Sequence, residues 1–343
     1  MKQQHVLITG SSGLIGSSAA SFFEQKGWCV HGIDNNMRRD FFGADGDTTA
    51  NLQRLRQELR HFTHHHLDIR DRQAIFDVVK CVRPALVIHC AAQPSHDLAK
   101  ERPFDDFEIN ALGTLNLLEA TRQFCAESSF ILMSTNKVYG DAPNERPLQE
   151  LPTRWDYSQP EHYCGIDEAC RIDRTMHSLF GASKLAADVM VQEYGRYFAM
   201  PTVCFRGGCL TGAHHSAAEQ HGFLAYLARC VKEERPYRIY GYKGKQVRDN
   251  IHAVDVCRAF AAFAANPRCG AVYNIGGGRA NSVSVLEAIA LLEDHFGKKL
   301  TVEQYAEPRK GDHICYISDM SRFHRDYPHW QLTFSLAEII RQF

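Results

Sequence analysis

The stretch HVLITGSSGLIG, residues 5–16, limits the folds open to this chain more than any other. A short β-rich apolar run over 5–9 leads into Gly10, Gly13 and Gly16, and a helical apolar pattern follows over 15–25. Glycine permits the tight turn and lets backbone come close to a ligand. The helix start then aims unpaired N–H groups at the turn, an arrangement suited to a pyrophosphate. A second apolar run over 29–34 ends in Asp34. A carboxylate at the tip of a second strand accepts ribose hydroxyls and repels a 2′-phosphate, which predicts NAD rather than NADP. Arg38 and Arg39 follow closely and keep a 2′-phosphate conceivable. The predicted cofactor contacts here are Gly10, Ser12, Gly13, Leu14, Ile15, Asp34, Asn35 and Arg38. Asp68 and Ile69 close a third strand expected over 64–67 and are placed near the adenine, with simple capping as the alternative for Asp68.

The alternation continues: helix 74–82, strand 85–90, amphipathic helix 106–125, strand 130–134, helix 178–198, strand 202–206. Such alternation predicts an α/β fold, a Rossmann doubly wound parallel sheet with right-handed crossovers. Beyond about residue 207 the pattern loosens into helix 223–233, strands 237–239 and 271–275, and helices 283–296 and 336–341. The expected division is an NAD-binding domain over 1–206, with 246–276 returning to it. The remainder, 207–245 and 277–343, is expected to form a smaller C-terminal α/β substrate lobe. Residues 40–51 and 141–173 read as long loops, which in compact enzymes are often functional.

Composition excludes several classes of partner. Thirty-nine basic residues against 40 acidic ones give a formal charge of −1, so no broad field attracts nucleic acid or an anionic membrane. No apolar run is long enough to span a bilayer, and the short N-terminal one is no signal peptide. The twelve cysteines are scattered with no C-x-x-C pair, as expected for free thiols in a reducing cytoplasm. His64–His66 and His214–His215 lack companion ligands at suitable spacing, so no metal is expected.

Beyond the glycine turn lie further motifs in order: His89-Cys-Ala91-Ala92, Asn110-x-x-Gly113-Thr114, Ser134-Thr135-Asn136-Lys137-Val138-Tyr139-Gly140, Phe205-Arg206, Gln246-Val-Arg248-Asp249 and Tyr273-Asn274. Together with the G-x-x-G-x-x-G spacing, they resemble the extended short-chain dehydrogenase/reductases, the NAD-dependent epimerase/dehydratase family. The resemblance spans most of the chain. It implies an NAD-dependent enzyme acting on a nucleoside-diphosphate sugar. Within the family, the segments 134–141, 165–168 and 244–249 resemble the CDP-paratose (CDP-tyvelose) 2-epimerases, which implies a CDP-hexose. Family dehydratases carry Asp-Glu where this chain has Asn136-Lys137. The expulsion of water needs that acid, so dehydration is disfavoured.

The resemblance implies site roles. Thr135 would donate to the reacting oxygen, and Lys184 would hold the nicotinamide ribose. Ala91, Ala92 and Asn110 would join the cofactor contacts. Gln93, His96, Asn136, Lys137, Arg206 and Gly207 would lie near the sugar, with Asn274 a further neighbour. Arg248 and Arg309 would clamp the diphosphate, as guanidinium forks suit phosphate oxygens; surface ion pairs with Asp249 and Asp312 are the alternative. The helices 106–125 and 178–198 would pair across a homodimer axis, or else pack within one chain. One position breaks the pattern. The family's acid/base tyrosine lies four residues before the lysine, and here that residue is Phe180. A phenyl ring carries no exchangeable proton. Tyr163, Cys164, Asp167, Glu168 and His177 are candidates to replace it. A relayed water and a lost activity are the other two readings.

Overall fold

The computed structural model describes residues 3–212, 222–308 and 311–343. Its centre is a parallel sheet of seven strands: β1 (His5–Thr9), β2 (Cys29–Ile33), β3 (Phe62–His65), β4 (Leu86–His89), β5 (Ser129–Thr135), β6 (Thr202–Gly207) and β7 (Ala271–Ile275). Their spatial order is β7-β6-β5-β4-β1-β2-β3. The chain builds outward from β1 through β2 to β3, then restarts on the other side at β4. The crevice between the carboxyl ends of β1 and β4 is therefore the switch point, where ligands bind in open α/β sheets. This is the expected Rossmann architecture.

Strand polarity explains why the sheet is buried on both faces. Val6 and Ile8 join Phe23, Phe205 and Phe260 on one side, while the intervening Leu7 joins Ile33, Val87 and Leu132 on the other. That is the period of two expected of a strand, with both faces apolar because helices cover each. A separate apolar cluster of Leu224, Leu227, Ile239, Val283, Leu292 and Ile339 forms the core of the C-terminal part. There the strand Val247–His252 pairs with Cys209–Thr211, Ser282–Ser284 and Cys315–Tyr316.

Several expected boundaries move. Residues 40–51 are not one long loop: all but Asp47 and Thr48 lie in the helix Met37–Phe42, a 3-10 turn Gly43–Gly46 or the start of the helix Thr49–Glu58. Their polar side chains serve local turns, with Asn36 bonding Asp47, Thr48 and Thr49. The third strand starts earlier than 64, because Phe62 pairs with Val30, and it ends before Leu67. The helix expected over 106–125 is divided into Pro103–Phe107, a π turn Glu108–Leu112 and Gly113–Cys125. The helix expected from 283 begins at Val285, since Ser284 caps it in a box with Glu287 and the residues before belong to a strand. The stretch 141–173 holds a small antiparallel pair, Leu148–Glu150 with Trp155–Tyr157.

Candidate active site

One cleft of about 500 Å³ runs from the switch point to the C-terminal part, a size typical of ligand sites. At its first end is the glycine turn. Gly10 has φ +66°, and a Cβ there would lie 2.7 Å from the Ala91 nitrogen. A Cβ on Gly16 would lie 2.0 Å from the Gly10 oxygen. The turn is thus shaped by the lack of side chains. Gly10, Gly13, Leu14, Ile15, Asp34, Asn35, Arg38, Asp68, Ile69, Ala91 and Ala92 all line the cleft. Ser12 does not: its backbone N–H donates to Asp34 Oδ2 at 2.9 Å, and it acts by holding that carboxylate in place. Asp34 also accepts from the Asn36 N–H at 2.8 Å. Burial raises its pKa, against the pull of these donors. Asp68 lines the cleft and also caps the chain: it accepts from the Arg70 backbone N–H at 2.9 Å, from Asn35 Nδ2 at 3.2 Å, and pairs with the Arg70 guanidinium at 2.8 Å. Met37, Phe41 and Leu67 complete this wall. No motif marked them, because they are ordinary apolar residues: Met37 and Phe41 are placed by the helix Met37–Phe42, and Leu67 by the stretch after β3.

His89, beneath this floor, is fully buried. The Thr114 hydroxyl donates to Asn110 O at 2.6 Å, so it accepts from His89 Nε2 at 2.9 Å. Thr9 then donates to Nδ1 at 2.6 Å. Burial, with the Lys184 charge, pushes the imidazole down to about 3, so it is neutral.

Mid-cleft, the end of β5 presents Thr135 and the helix Ser178–Phe198 presents Phe180 and Lys184 on one face. The Lys184 ammonium donates to Met133 O at 3.1 Å. Burial lowers its pKa to about 8, opposed by Cys90 and Asp188. The Phe180 ring is buried and meets the edge of His96 at 5.0 Å between centroids. His96 Nδ1 is 2.7 Å from Ser178 Oγ.

At the far end, Lys137 donates to Gly311 O at 2.8 Å and lies 3.6 Å from Asp312, which also pairs with Arg248. Burial, against the pull of Asp312 and aided by Arg248, brings Lys137 down to about 8. Burial alone would raise the Asp312 carboxyl, but Arg248 and Lys137 hold it below the usual carboxylate range. Asn136 and Gly207 line the cleft beside them. Asp312 was legible only as a neighbour of Arg309. That arginine lies outside the described residues, as do His214 and His215.

Other expected site residues are corrected by their surroundings. Arg206 does not reach the cleft. It is fully buried against Asp188 at 2.8 Å and stacked on Tyr139 at 4.9 Å, where an unpaired guanidinium would be costly. Gln93 and Asn110 are buried in a network with Asp106 and Ser183 that ties the β4 loop to the helix Ser178–Phe198. Asn274 accepts from Tyr139 at 2.7 Å and donates to Ile166 O. Arg248 pairs with Asp312 rather than Asp249, whose carboxylate accepts from the Gly278 and Ser318 N–H groups. None of the five candidates to replace the missing tyrosine lines the cleft. Tyr163 is 61% exposed with its ring on Arg279, and Cys164 and Asp167 are exposed. Glu168 accepts from Asn274 N, and His177 is bonded to Val138 O.

The sequence model of the NAD dependent epimerase/dehydratase family matches residues 6–276. The chain belongs to that family. This member is 35% identical over 324 residues to a CDP-paratose 2-epimerase of Salmonella typhi, covering 92% of this chain and 91% of that protein. It is 27% identical to a dTDP-glucose 4,6-dehydratase of Salmonella typhimurium, over 94% of this chain and 84% of that one. The fold matches a UDP-glucose 4-epimerase of Thermus thermophilus in complex with NAD, with a TM-score of 0.80, 26% identity, and coverage of 99% and 97% of the two chains. The cofactor of this family member is NAD, and the glycine turn and Asp34 fit it. The bare turn would admit the pyrophosphate, Asp34 the ribose, and Met37, Phe41 and Leu67 the adenine. Among the described residues, no helix is long and apolar enough to cross a membrane, and no group of three or more His, Cys, Asp or Glu could hold a metal.

Proposed function

We propose that this protein epimerises a nucleoside-diphosphate sugar, a CDP-hexose at C2, through a transient keto-sugar. The supporting observation is one continuous cleft that brings the glycine turn and Asp34, the Thr135–Lys184 pair, and the cationic group of Lys137 and Arg248 into line. Bound NAD supplies the two-electron acceptor that makes oxidation at a sugar carbon reversible. Thr135 offers a hydroxyl to the sugar oxygen that becomes a carbonyl. The Lys184 ammonium, held by Met133 O, stabilises negative charge developing there. Lys137 and Arg248 meet the diphosphate, and Asp312 keeps both in position until it arrives. No carboxylate occupies the two positions after Thr135, which favours epimerisation over dehydration. The CDP-paratose 2-epimerase likeness favours CDP and C2. The exposed Phe104 and Tyr197 lie on the helices Pro103–Phe107 and Ser178–Phe198, which belong to the two helical segments expected to pair across a dimer axis, and this supports a homodimer. The twelve free cysteines support a cytoplasmic location.

Purified holoenzyme mixed with CDP-, UDP- and dTDP-hexoses tests the reading. A transient 340 nm rise is expected with a CDP-hexose, followed by a product inverted at C2 without solvent deuterium at that carbon. Deuterium incorporation, or inversion at C4, would refute it. Phe180 favours a second reading, a protein that binds NAD and nucleotide sugar without turnover. Silence at 340 nm with every sugar would support that reading instead.

A further inference from the structure

We propose that His96 performs the proton transfer that Phe180 cannot, with Ser178 as its partner. This rests on the epimerase reading above. Three observations converge on the imidazole. It lines the same cleft as Thr135, Phe180 and Lys184. Its ring lies edge-on against Phe180, at 5.0 Å, so it occupies the wall beside the residue that lacks a hydroxyl. Its Nδ1 is 2.7 Å from Ser178 Oγ, and that oxygen already accepts from the Gly181 N–H at 3.3 Å. A serine hydroxyl both donates and accepts. Its oxygen accepts from Nδ1–H, which stays protonated in both the neutral and the charged ring, so the anchor is kept while Nε2 gains and loses the proton. Imidazole is the side chain best suited to take up and return a proton in general acid–base catalysis.

With Nδ1 anchored, the sugar hydroxyl is met through Nε2. The O–H bond breaks toward Nε2, the C–O bond becomes C=O, and the hydride on that carbon leaves for the nicotinamide. After the keto-sugar turns over, hydride returns to the opposite face and the imidazolium gives its proton back to the oxygen. Charges and electrons balance over the cycle, and Thr135 and Lys184 stabilise the oxygen in both directions.

The test compares wild type, His96→Gln, His96→Asn and the double variant His96→Gln/Phe180→Tyr in the holoenzyme. CDP-glucose is the probe, with UDP-glucose and dTDP-glucose alongside; turnover is read as epimerised product by NMR, and the oxidation step as the transient 340 nm rise. Both single variants should lose about 10²–10⁴-fold in rate, with unchanged NAD content and melting temperature, and with affinity for the sugar nucleotide kept within about threefold. The tyrosine of the double variant should recover at least about tenfold of that loss, because it restores a titratable group beside the same oxygen. Independently of turnover, NMR titration of the His96 imidazole should give a lower pKa with NAD⁺ bound than with NADH, since a positive nicotinamide nearby disfavours the imidazolium. A turning-over wild type with unimpaired His96 variants, or a His96 pKa indifferent to the cofactor's charge, would overturn the assignment alone. A wild type silent with every sugar would overturn it together with the epimerase reading.

Discussion

Gly16→Ala is the sharpest perturbation of the cofactor site. The added methyl would lie 2.0 Å from Gly10 O, 2.7 Å from Gly10 C and 2.8 Å from Ser11 Cα. Ordinary contacts are near 3.5 Å, so the turn must yield by roughly 1.5 Å. All three atoms are backbone, and Gly10 has nowhere to go. Its N–H is tied to Ile33 O at 2.8 Å, its φ is +66°, and Ala91 blocks its other side. Overpacking of this kind costs about 1–3 kcal/mol. If that strain is relieved only by opening the turn, NAD affinity falls by about 5–150-fold. Gly13→Ala is the control. Its methyl would meet only Gly10 O, at 3.3 Å, and its φ is −74°, so a loss within about threefold is expected. Calorimetric titration of cofactor-stripped protein with NAD⁺ reads both, and thermal melting without NAD⁺ checks folding. If Gly16→Ala bound NAD⁺ within about twofold of wild type, or if both variants lost equally, the steric account of the turn would be wrong.

Three further outcomes are expected. Asp188→Ala leaves the Arg206 guanidinium buried and unpaired and strips partners from Ser134 and Gln192; urea unfolding should show a loss of about 3–5 kcal/mol, and a loss under about 1 kcal/mol would refute the buried-pair reading. Lys137→Met and Arg248→Met should each weaken CDP-glucose binding by at least about tenfold, with NAD⁺ affinity little changed; a reversed pattern would place the diphosphate elsewhere. His89 is neutral in the fold, with its pKa near 3 against an ordinary 6.5. Between those values the unfolded chain binds more protons, so stability is full above about pH 6.5 and declines as pH falls toward 3. His89→Gln should flatten that decline in urea titrations between about pH 6.5 and 4.5, and an unchanged slope would show that other groups set it.

The sequence alone determined what depends on neighbours along the chain. The strand–glycine–helix unit, the parallel sheet and the NAD cofactor were legible because turn geometry and apolar periodicity are local. The shared helix face of Phe180 and Lys184 follows from their spacing of four. Other elements resisted for a physical reason. Polar runs such as 40–51 and the strand Val247–His252 give no amphipathic signal; the first is ordered by turns closed on Asn36, and the second by pairing with strands distant in the chain.

Only the tertiary structure decided which side chains meet. Arg206 and Lys137 are both basic residues in motif segments, yet one is locked against Asp188 and the other faces the cleft. Tyr163 has the right chemistry but lies on the surface, while His96 arrives beside Phe180 from a different β–α connection. Periodicity states which face of its own element a residue occupies. Which faces are brought together depends on strand order and crossovers, and those are set by burial of the whole core rather than by any short stretch of chain.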